Sequence, residues 1–321
     1  MISMEAAGCR ISAMSLGTAQ LGMNYGISNQ EGRPDRTRSF EILRTALGVG
    51  VNALDTARAY GDSEEVLGDF FKNNPESKEK VFITTKLSSG LPAGSPAKDV
   101  EKALIQSLET SLDTLGLPKV NYLLLHNAAD MRNHGPIVAE TLRRFIAQGL
   151  TDFTGVSVYH PEEADFLLEN EVYQAVQLPA NVLDQRFIRT GVLDRLSKRG
   201  IQVFVRSAFF QGLLLMEAEQ IEDPGLKKYA VPHLLTLRRL SENAGMSVAR
   251  FALYFLRDFP GVTSIVIGAD NPEQVLQNIT FFDASSTKNY FLDEKTHHLA
   301  QISFENVDYA AIMAVLSRPK G

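Results

Sequence analysis

The sequence lacks the features that mark several classes of protein. Cys9 is its one cysteine, so no internal disulfide forms, and without companion thiols or suitably spaced histidines it makes a poor zinc ligand set. Basic residues show no excess. The balance of 32 Lys and Arg against 38 Asp and Glu gives a formal charge of -6, which works against a nucleic-acid backbone as partner. No apolar run approaches the ~18 residues that a membrane helix needs. Glu5 and Arg10 interrupt the opening residues where a signal peptide is continuously apolar. These absences predict a cytoplasmic protein with a small-molecule partner, no metal site, no nucleic acid and no membrane. Redox chemistry in such a chain needs a bound cofactor, and the oligomeric state stays open.

What is present is an alternation. Runs rich in Val, Ile and Leu centre on Met14 to Leu16, Asn52 to Asp55, Val81 to Lys86, Tyr122 to His126, Phe153 to Val158, Ala175 to Leu178, Gln202 to Ser207 and Ser264 to Gly268. They predict buried strands. Between them, stretches such as Ser39 to Leu47 and Val100 to Leu108 repeat apolar residues at three and four positions, the pattern of a helix with one buried stripe. Ser63 ahead of Glu64 and Glu65, and Asn271 ahead of Pro272, read as helix starts. Repeated strand and helix units with right-handed crossovers build either a closed barrel or a doubly wound open sheet, and eight units favour the barrel. No Pro/Ser-rich linker divides the chain. The expected architecture is a single (β/α)8 domain over residues 1–321, with its core from about residue 12 to 281 and the stretch before Ser12 capping the barrel floor. A tail over 282–321 follows, with short helices near Lys295 to Ile302 and Asp308 to Leu316.

In a parallel barrel, chemistry gathers where strands end. Asp55, Lys86 and His126 end three successive apolar runs, and Tyr60 follows Asp55 on the connecting loop. A tyrosine, with a reference pKa of ~10, is a poor acid at neutral pH unless a cation stabilises its phenolate. Lys86 supplies such a cation, Asp55 would keep it charged and oriented, and His126 could hold a substrate carbonyl oxygen. Taken singly, each has an ordinary use as a capping carboxylate, a solvated lysine, a core histidine or a packing tyrosine. Their conjunction at equivalent strand ends favours catalysis. A second use of the same set remains open, with Lys86 as the Schiff-base lysine of an aldolase.

Leu16-Gly17-Thr18, the run Asn52 to Glu64, Thr84-Thr85-Lys86, Leu124-Leu125-His126 and Gly155-Val156-Ser157 together resemble the aldo-keto reductases. The resemblance covers nearly the whole chain and implies a barrel that binds a nicotinamide cofactor without a Rossmann domain. It places Asp55, Tyr60, Lys86 and His126 on the family's catalytic tetrad, with Tyr60 as general acid in reduction and base in oxidation. It implies that Ser157 and Gln177 hold the nicotinamide carboxamide and that Gly17 and Thr18 approach the adjoining ribose. Ser207 to Leu213, with Gly212, would lie over the pyrophosphate. Gly268, Asp270, Gln274 and Asn278 would form the adenosine segment.

The chain departs from the family's pattern in three places. Val158 stands where many members have Asn, and Arg206 stands where many set an aromatic ring against the nicotinamide, although a guanidinium can also stack. The adenosine segment carries Asp270 and no Lys or Arg to pair a 2'-phosphate. NAD is therefore expected over NADP, by analogy with acidic selectors elsewhere, unless Arg189, Arg206 or Lys198 reaches the phosphate in space.

Other patterns are weaker. Gly48 to Ala53 matches a dinucleotide fingerprint but follows a helix and precedes a strand, so it is a turn. Asn278-Ile279-Thr280 is a glycosylation acceptor with no secretion signal, and the neighbours His297 and His298 diverge on a helix. Met23, Tyr25, Tyr159, Phe209 and Phe210 are equally fit to wall a substrate pocket or to line a core rim. The expected function is an NAD(P)-dependent oxidoreductase interconverting an aldehyde or ketone, with sugars among the candidates, and an alcohol. The alternatives are the aldolase and a cofactor-binding regulatory subunit.

Overall fold

The computed structural model describes residues 3–6, 9–27, 29, 32–257, 259, 261–282 and 292–318. An antiparallel hairpin, β1 (Ser3–Ala6) and β2 (Cys9–Ser12), comes first. Eight parallel strands follow: β3 (Met14–Gly17), β4 (Ala53–Asp55), β5 (Phe82–Leu87), β6 (Val120–Leu125), β7 (Thr151–Ser157), β8 (Ala175–Pro179), β9 (Gln202–Arg206) and β10 (Val262–Gly268). They close as a barrel in the order β10-β3-β4-β5-β6-β7-β8-β9. Each expected apolar run falls on one strand, and the barrel is the expected fold class.

Two shells of apolar packing hold it. The larger lies between barrel and helices, where Ile42, Leu67, Leu104, Leu142, Leu167, Leu196 and Phe251 are buried against outward-facing strand residues such as Leu54, Leu123 and Val176. The smaller fills the barrel floor with Ala53, Tyr122, Leu124, Ala175 and Phe204, and Ile11 of β2 is buried among them. The opening hairpin thus plugs the amino-terminal end of the barrel. Tyr122 is the polar member of this layer, and its hydroxyl donates to Gln202 Oε1 at 2.5 Å.

Strand register sets the layer above. Gly17 pairs with Gly268 and with Asp55, Asp55 with Thr84, and Ser157 with Gln177. Residues far apart in sequence therefore share the carboxyl rim of one barrel, where parallel barrels place their chemistry. Beyond the rim, the expected tail helices are present as Glu294–Ser303 and Tyr309–Leu316. Residues 283–291 and 319–321 of that tail lie outside the described residues.

Candidate active site

The chain between β4 and the helix Ser63–Asn73 is short and tightly fixed. Thr18 Oγ1 contacts the Asp55 carbonyl at 2.9 Å and Ser63 Oγ at 2.7 Å, and Thr56 Oγ1 reaches the same Ser63 hydroxyl at 2.9 Å. Buried Glu64 accepts from Thr85 Oγ1 at 2.6 Å and from Arg58 Nη1 at 2.8 Å. Gly22 and Gly61 let the backbones touch: a Cβ on Gly22 would stand 1.8 Å from the Tyr60 carbonyl oxygen. The loop that carries Tyr60 is thereby anchored on three sides.

Lys86 is fully enclosed. Its Nζ donates to both carboxylate oxygens of Asp55 at 2.9 Å and to the Thr56 carbonyl at 2.9 Å. It lies 4.8 Å from the centre of the Tyr60 ring. Burial works against its charge, but the Asp55 carboxylate outweighs that, and Tyr60 adds to it, so Lys86 sits above the ordinary lysine value. The Tyr60 ring meets the His126 ring edge-on, with centroids 5.6 Å apart. Burial, reinforced by the Lys86 ammonium, pushes His126 down to about 4. His126 is therefore a neutral imidazole at physiological pH and can donate a hydrogen bond without adding charge.

The Asp55 carboxylate has a second partner that no sequence pattern shows. Gln177 Nε2 donates to Asp55 Oδ1 at 2.7 Å from across the barrel. A carboxylate only accepts, so this bond fixes which end of the Gln177 amide faces it. The opposite atom, Gln177 Oε1, is buried and has no hydrogen-bond partner among the described residues. A buried acceptor left so is costly, and an amide N–H2 group is the donor that would satisfy it.

These groups open into a cavity of about 340 Å³. Asp55, Tyr60, His126, Gly17, Ser157, Gln177, Arg206, Ser207, Gly212, Gly268, Asp270, Gln274 and Asn278 line it, together with Tyr25, Tyr159 and Phe209. Three expected site residues do not reach its wall. Thr18 is buried in the hydroxyl network, Leu213 is buried under its loop, and Lys86 lies behind Asp55 and Tyr60. Met23 stands outside, and Phe210 turns inward to stack on Tyr309 with ring centres 5.6 Å apart. Arg189 and Lys198 are also absent from the wall, and Arg189 donates instead to the Phe304 and Glu305 carbonyls. Gln20 and Asn29 were not anticipated. Asn29 Nδ2 contacts Asp270 Oδ1 at 3.2 Å, joining the loop after β3 to the segment after β10.

The family model for the aldo/keto reductase family matches residues 13–294. The chain belongs to the aldo/keto reductase family. It is 28% identical to L-glyceraldehyde 3-phosphate reductase of Escherichia coli K12, over 92% of this chain and 90% of that one. Its fold superposes on the holo form of an aldo-keto reductase, AKR11C1, from Bacillus halodurans with a TM-score of 0.76, at 19% identity and covering 94% and 96% of the two chains. An aldo/keto reductase from Klebsiella pneumoniae in complex with NADP and acetate gives a TM-score of 0.67, at 20% identity over 92% and 93%. As a member of this family the chain is an NAD(P)-dependent oxidoreductase that interconverts a carbonyl compound and an alcohol. The aldolase alternative finds no support: a Schiff-base lysine attacks as the free amine, whereas Asp55 holds Lys86 as the ammonium.

Proposed function

We propose that Asp55, Tyr60, Lys86 and His126 are the catalytic groups of this reductase and that the wall from Gly17 to Asn278 holds its nicotinamide cofactor. The observation that carries the reading is Asp55, which binds Lys86 on one side and Gln177 on the other. One carboxylate thereby fixes both the cation beside Tyr60 and the amide whose Oε1 awaits a donor. The nicotinamide supplies the hydride in reduction and accepts it in oxidation. Ser157 and Gln177 would hold its carboxamide, Gly17 and Thr18 would approach the adjoining ribose, Arg206 would face the ring, and the loop of Ser207, Gly212 and Leu213 would lie over the pyrophosphate. Gly268, Asp270, Gln274 and Asn278 would take the adenosine, at the start of the helix Pro272–Phe282.

In reduction, Tyr60 Oη gives its proton to the substrate oxygen as that oxygen gains negative charge, and the Lys86 ammonium stabilises the phenolate left behind. Neutral His126 donates to the same oxygen and orients it. Oxidation runs these transfers in reverse. Residues 1–321 form one catalytic unit in this reading, in a cytoplasmic setting, and aldehydes or ketones, sugars among them, are the substrates.

The cofactor is NAD rather than NADP in this reading, because Asp270 would oppose a 2'-phosphate and the adenosine segment offers no Lys or Arg to pair it, while Arg206, the one Lys or Arg on the wall among the described residues, is placed at the nicotinamide ring. Fluorescence titration with NADH and NADPH in parallel tests it, followed by turnover of carbonyl compounds. Tighter NADH binding supports the whole reading. Tighter NADPH binding overturns the Asp270 argument alone, and binding of neither overturns the cofactor site. Binding without turnover of any carbonyl compound would favour a regulatory subunit.

A further inference from the structure

The charges on the cavity wall are unevenly matched. Asp55 is neutralised by Lys86, and Asp270 lies at the other end, beside Asn29 and Gln274. Arg206 is the one arginine or lysine among the described residues that line the cavity, and it pairs with no carboxylate among them. It is half-buried at the end of β9. Its Nη2 donates to the Val158 carbonyl at 3.3 Å, and its guanidinium centre lies 4.3 Å from the Tyr159 ring centroid. Those contacts fix the plane of the guanidinium and leave its formal charge uncompensated.

The charge acts at the catalytic end. It reinforces the low value of His126, behind burial and Lys86, and it opposes the rise that burial imposes on Tyr25. A half-buried cation is most stabilised by an anion that arrives with the ligand, and a planar fork of N–H donors matches carboxylate and phosphate oxygens better than an ammonium does. In a protein of net charge -6, such an anion needs a local cation. Stacking on a nicotinamide would use a face of the guanidinium, whereas anion binding uses the N–H groups at its edge, so the two uses are compatible.

We propose that Arg206 is a specificity residue that selects carbonyl substrates carrying a carboxylate or phosphate, with Tyr25 and Tyr159 lining the same pocket. The inference rests on the reductase reading above and deepens it. The anionic group takes no part in bond making or breaking, and its role is to place the carbonyl carbon.

Matched pairs of substrates test it: succinic semialdehyde against butanal for a carboxylate, and glyceraldehyde 3-phosphate against glyceraldehyde for a phosphate. At least one anionic member should exceed its neutral partner in kcat/KM by about 10- to 100-fold, the worth of a charge-assisted hydrogen bond, and which pair does so identifies the anion. Arg206→Gln should erase that preference, and Arg206→Lys should restore part of it. Because Arg206 also faces the nicotinamide ring in the reading above, NADH binding is titrated separately, and any weakening of it bears on both members of a pair alike and cancels in their ratio. Equal kcat/KM within both pairs would overturn the inference and leave the reductase reading standing. An equal loss for all substrates with weakened NADH binding would assign Arg206 to the cofactor alone and overturn it as well. Calorimetric titration of the NADH-loaded protein with butyrate, butyramide and inorganic phosphate covers the case in which no probe turns over. Butyrate or phosphate binding that Arg206→Gln abolishes supports the inference, and failure of both anions to bind better than butyramide refutes it.

Discussion

Gly22 and Tyr60 are in backbone contact, so close that a Cβ added to Gly22 would lie 1.8 Å from the Tyr60 carbonyl oxygen and 2.4 Å from Ser63 N. Gly61 completes the contact with φ +54 and the Gly22 oxygen 2.3 Å from where its own Cβ would stand. Gly22→Ala cannot be absorbed by rotating a side chain, because the obstacle is backbone. It should cost about 1–3 kcal/mol of stability, the usual range for overpacking. It should also lower kcat/KM about 10²-fold by shifting Tyr60 about an ångström, a displacement of the size that costs enzymes that much. A denaturant melt and steady-state rates on the same preparation check both. Unchanged rates in a destabilised protein would show that the contact serves folding and not the placement of Tyr60.

Tyr60→Phe removes the proposed proton donor while keeping the ring against His126 and Lys86. Turnover should fall by roughly 10²-fold to 10⁴-fold with cofactor binding nearly unchanged. Stopped-flow measurement of the chemical step would separate this from slow product release. A loss confined to KM would remove Tyr60 from the proton-transfer role.

Lys86→Met raises a question of stability as well as of rate. Removing one partner of a buried ion pair leaves the other charge buried and unpaired, at about 3–5 kcal/mol. Asp55 keeps the Gln177 amide in that variant, so the cost should fall in the lower part of that range. The double variant Asp55→Asn with Lys86→Met should recover part of the lost stability, since the orphaned carboxylate is gone. Its activity should stay low, because the cation beside Tyr60 is still missing. Equal stability of the single and double variants would refute this account of the pair.

The depressed value of His126 also makes a claim about acid. The unfolded chain takes up a proton at this residue near the ordinary histidine value of about 6.5, whereas the folded protein resists it down to about 4. Between these values the unfolded state binds the extra proton, so stability falls as pH falls and is regained as pH rises. At 1.36 kcal/mol per unit, this residue contributes at most about 3–4 kcal/mol to that loss. Comparing the stability of wild type and His126→Gln from pH 7 to pH 4 isolates it. The variant should lose less stability over this interval, and parallel curves would mean that the histidine is as easily protonated in the fold as outside it.

Much of this was legible in the sequence, for reasons that differ by element. Buried parallel strands must be apolar on both faces, so all eight barrel strands appear as short aliphatic runs. Their number then selects the barrel. Asp55, Lys86 and His126 stand out because an ionisable residue at the end of such a run is conspicuous, and the barrel brings those ends together. Less legible are partners that depend on direction. Gln177 reaches Asp55 from the far side of the barrel, and nothing in its own strand indicates that bond. Thr18 and Leu213 sit in the segments the family resemblance assigns to the cofactor, yet their side chains turn inward, because whether a loop residue faces a cavity depends on torsions that composition does not encode. The fixed contact of Arg206 with Tyr159 is likewise a product of two strand ends meeting, 47 positions apart in sequence.

Tyr309, near the far end of the chain, bears on the loop after β9. Its ring is sandwiched, with the Arg186 guanidinium 3.7 Å from its centre and Phe210 stacked parallel at 5.6 Å. Arg186 is held in turn by both carboxylate oxygens of buried Asp184, at 2.7 Å and 2.9 Å. Phe210 belongs to a loop with three non-glycine residues at positive φ, namely Ser207, Phe210 and Gln211. Such conformations cost about 1–3 kcal/mol each and persist where surrounding contacts enforce them. The Asn181 amide on the Ser207 carbonyl and Ile27 N on the Gln211 carbonyl enforce two of them, and Tyr309 packs on the third. Tyr309→Ala should therefore cost about 1–2 kcal/mol from the lost ring and cation contacts. Because this loop is the one proposed to cover the pyrophosphate, NADH should also dissociate several-fold faster. Tyr309→Phe should leave both properties near wild type, since the ring and not the hydroxyl makes the sandwich. Stopped-flow displacement of NADH together with a denaturant melt distinguishes the two effects, and a Tyr309→Ala protein that releases NADH at the wild-type rate would show that the loop holds its shape without the tail.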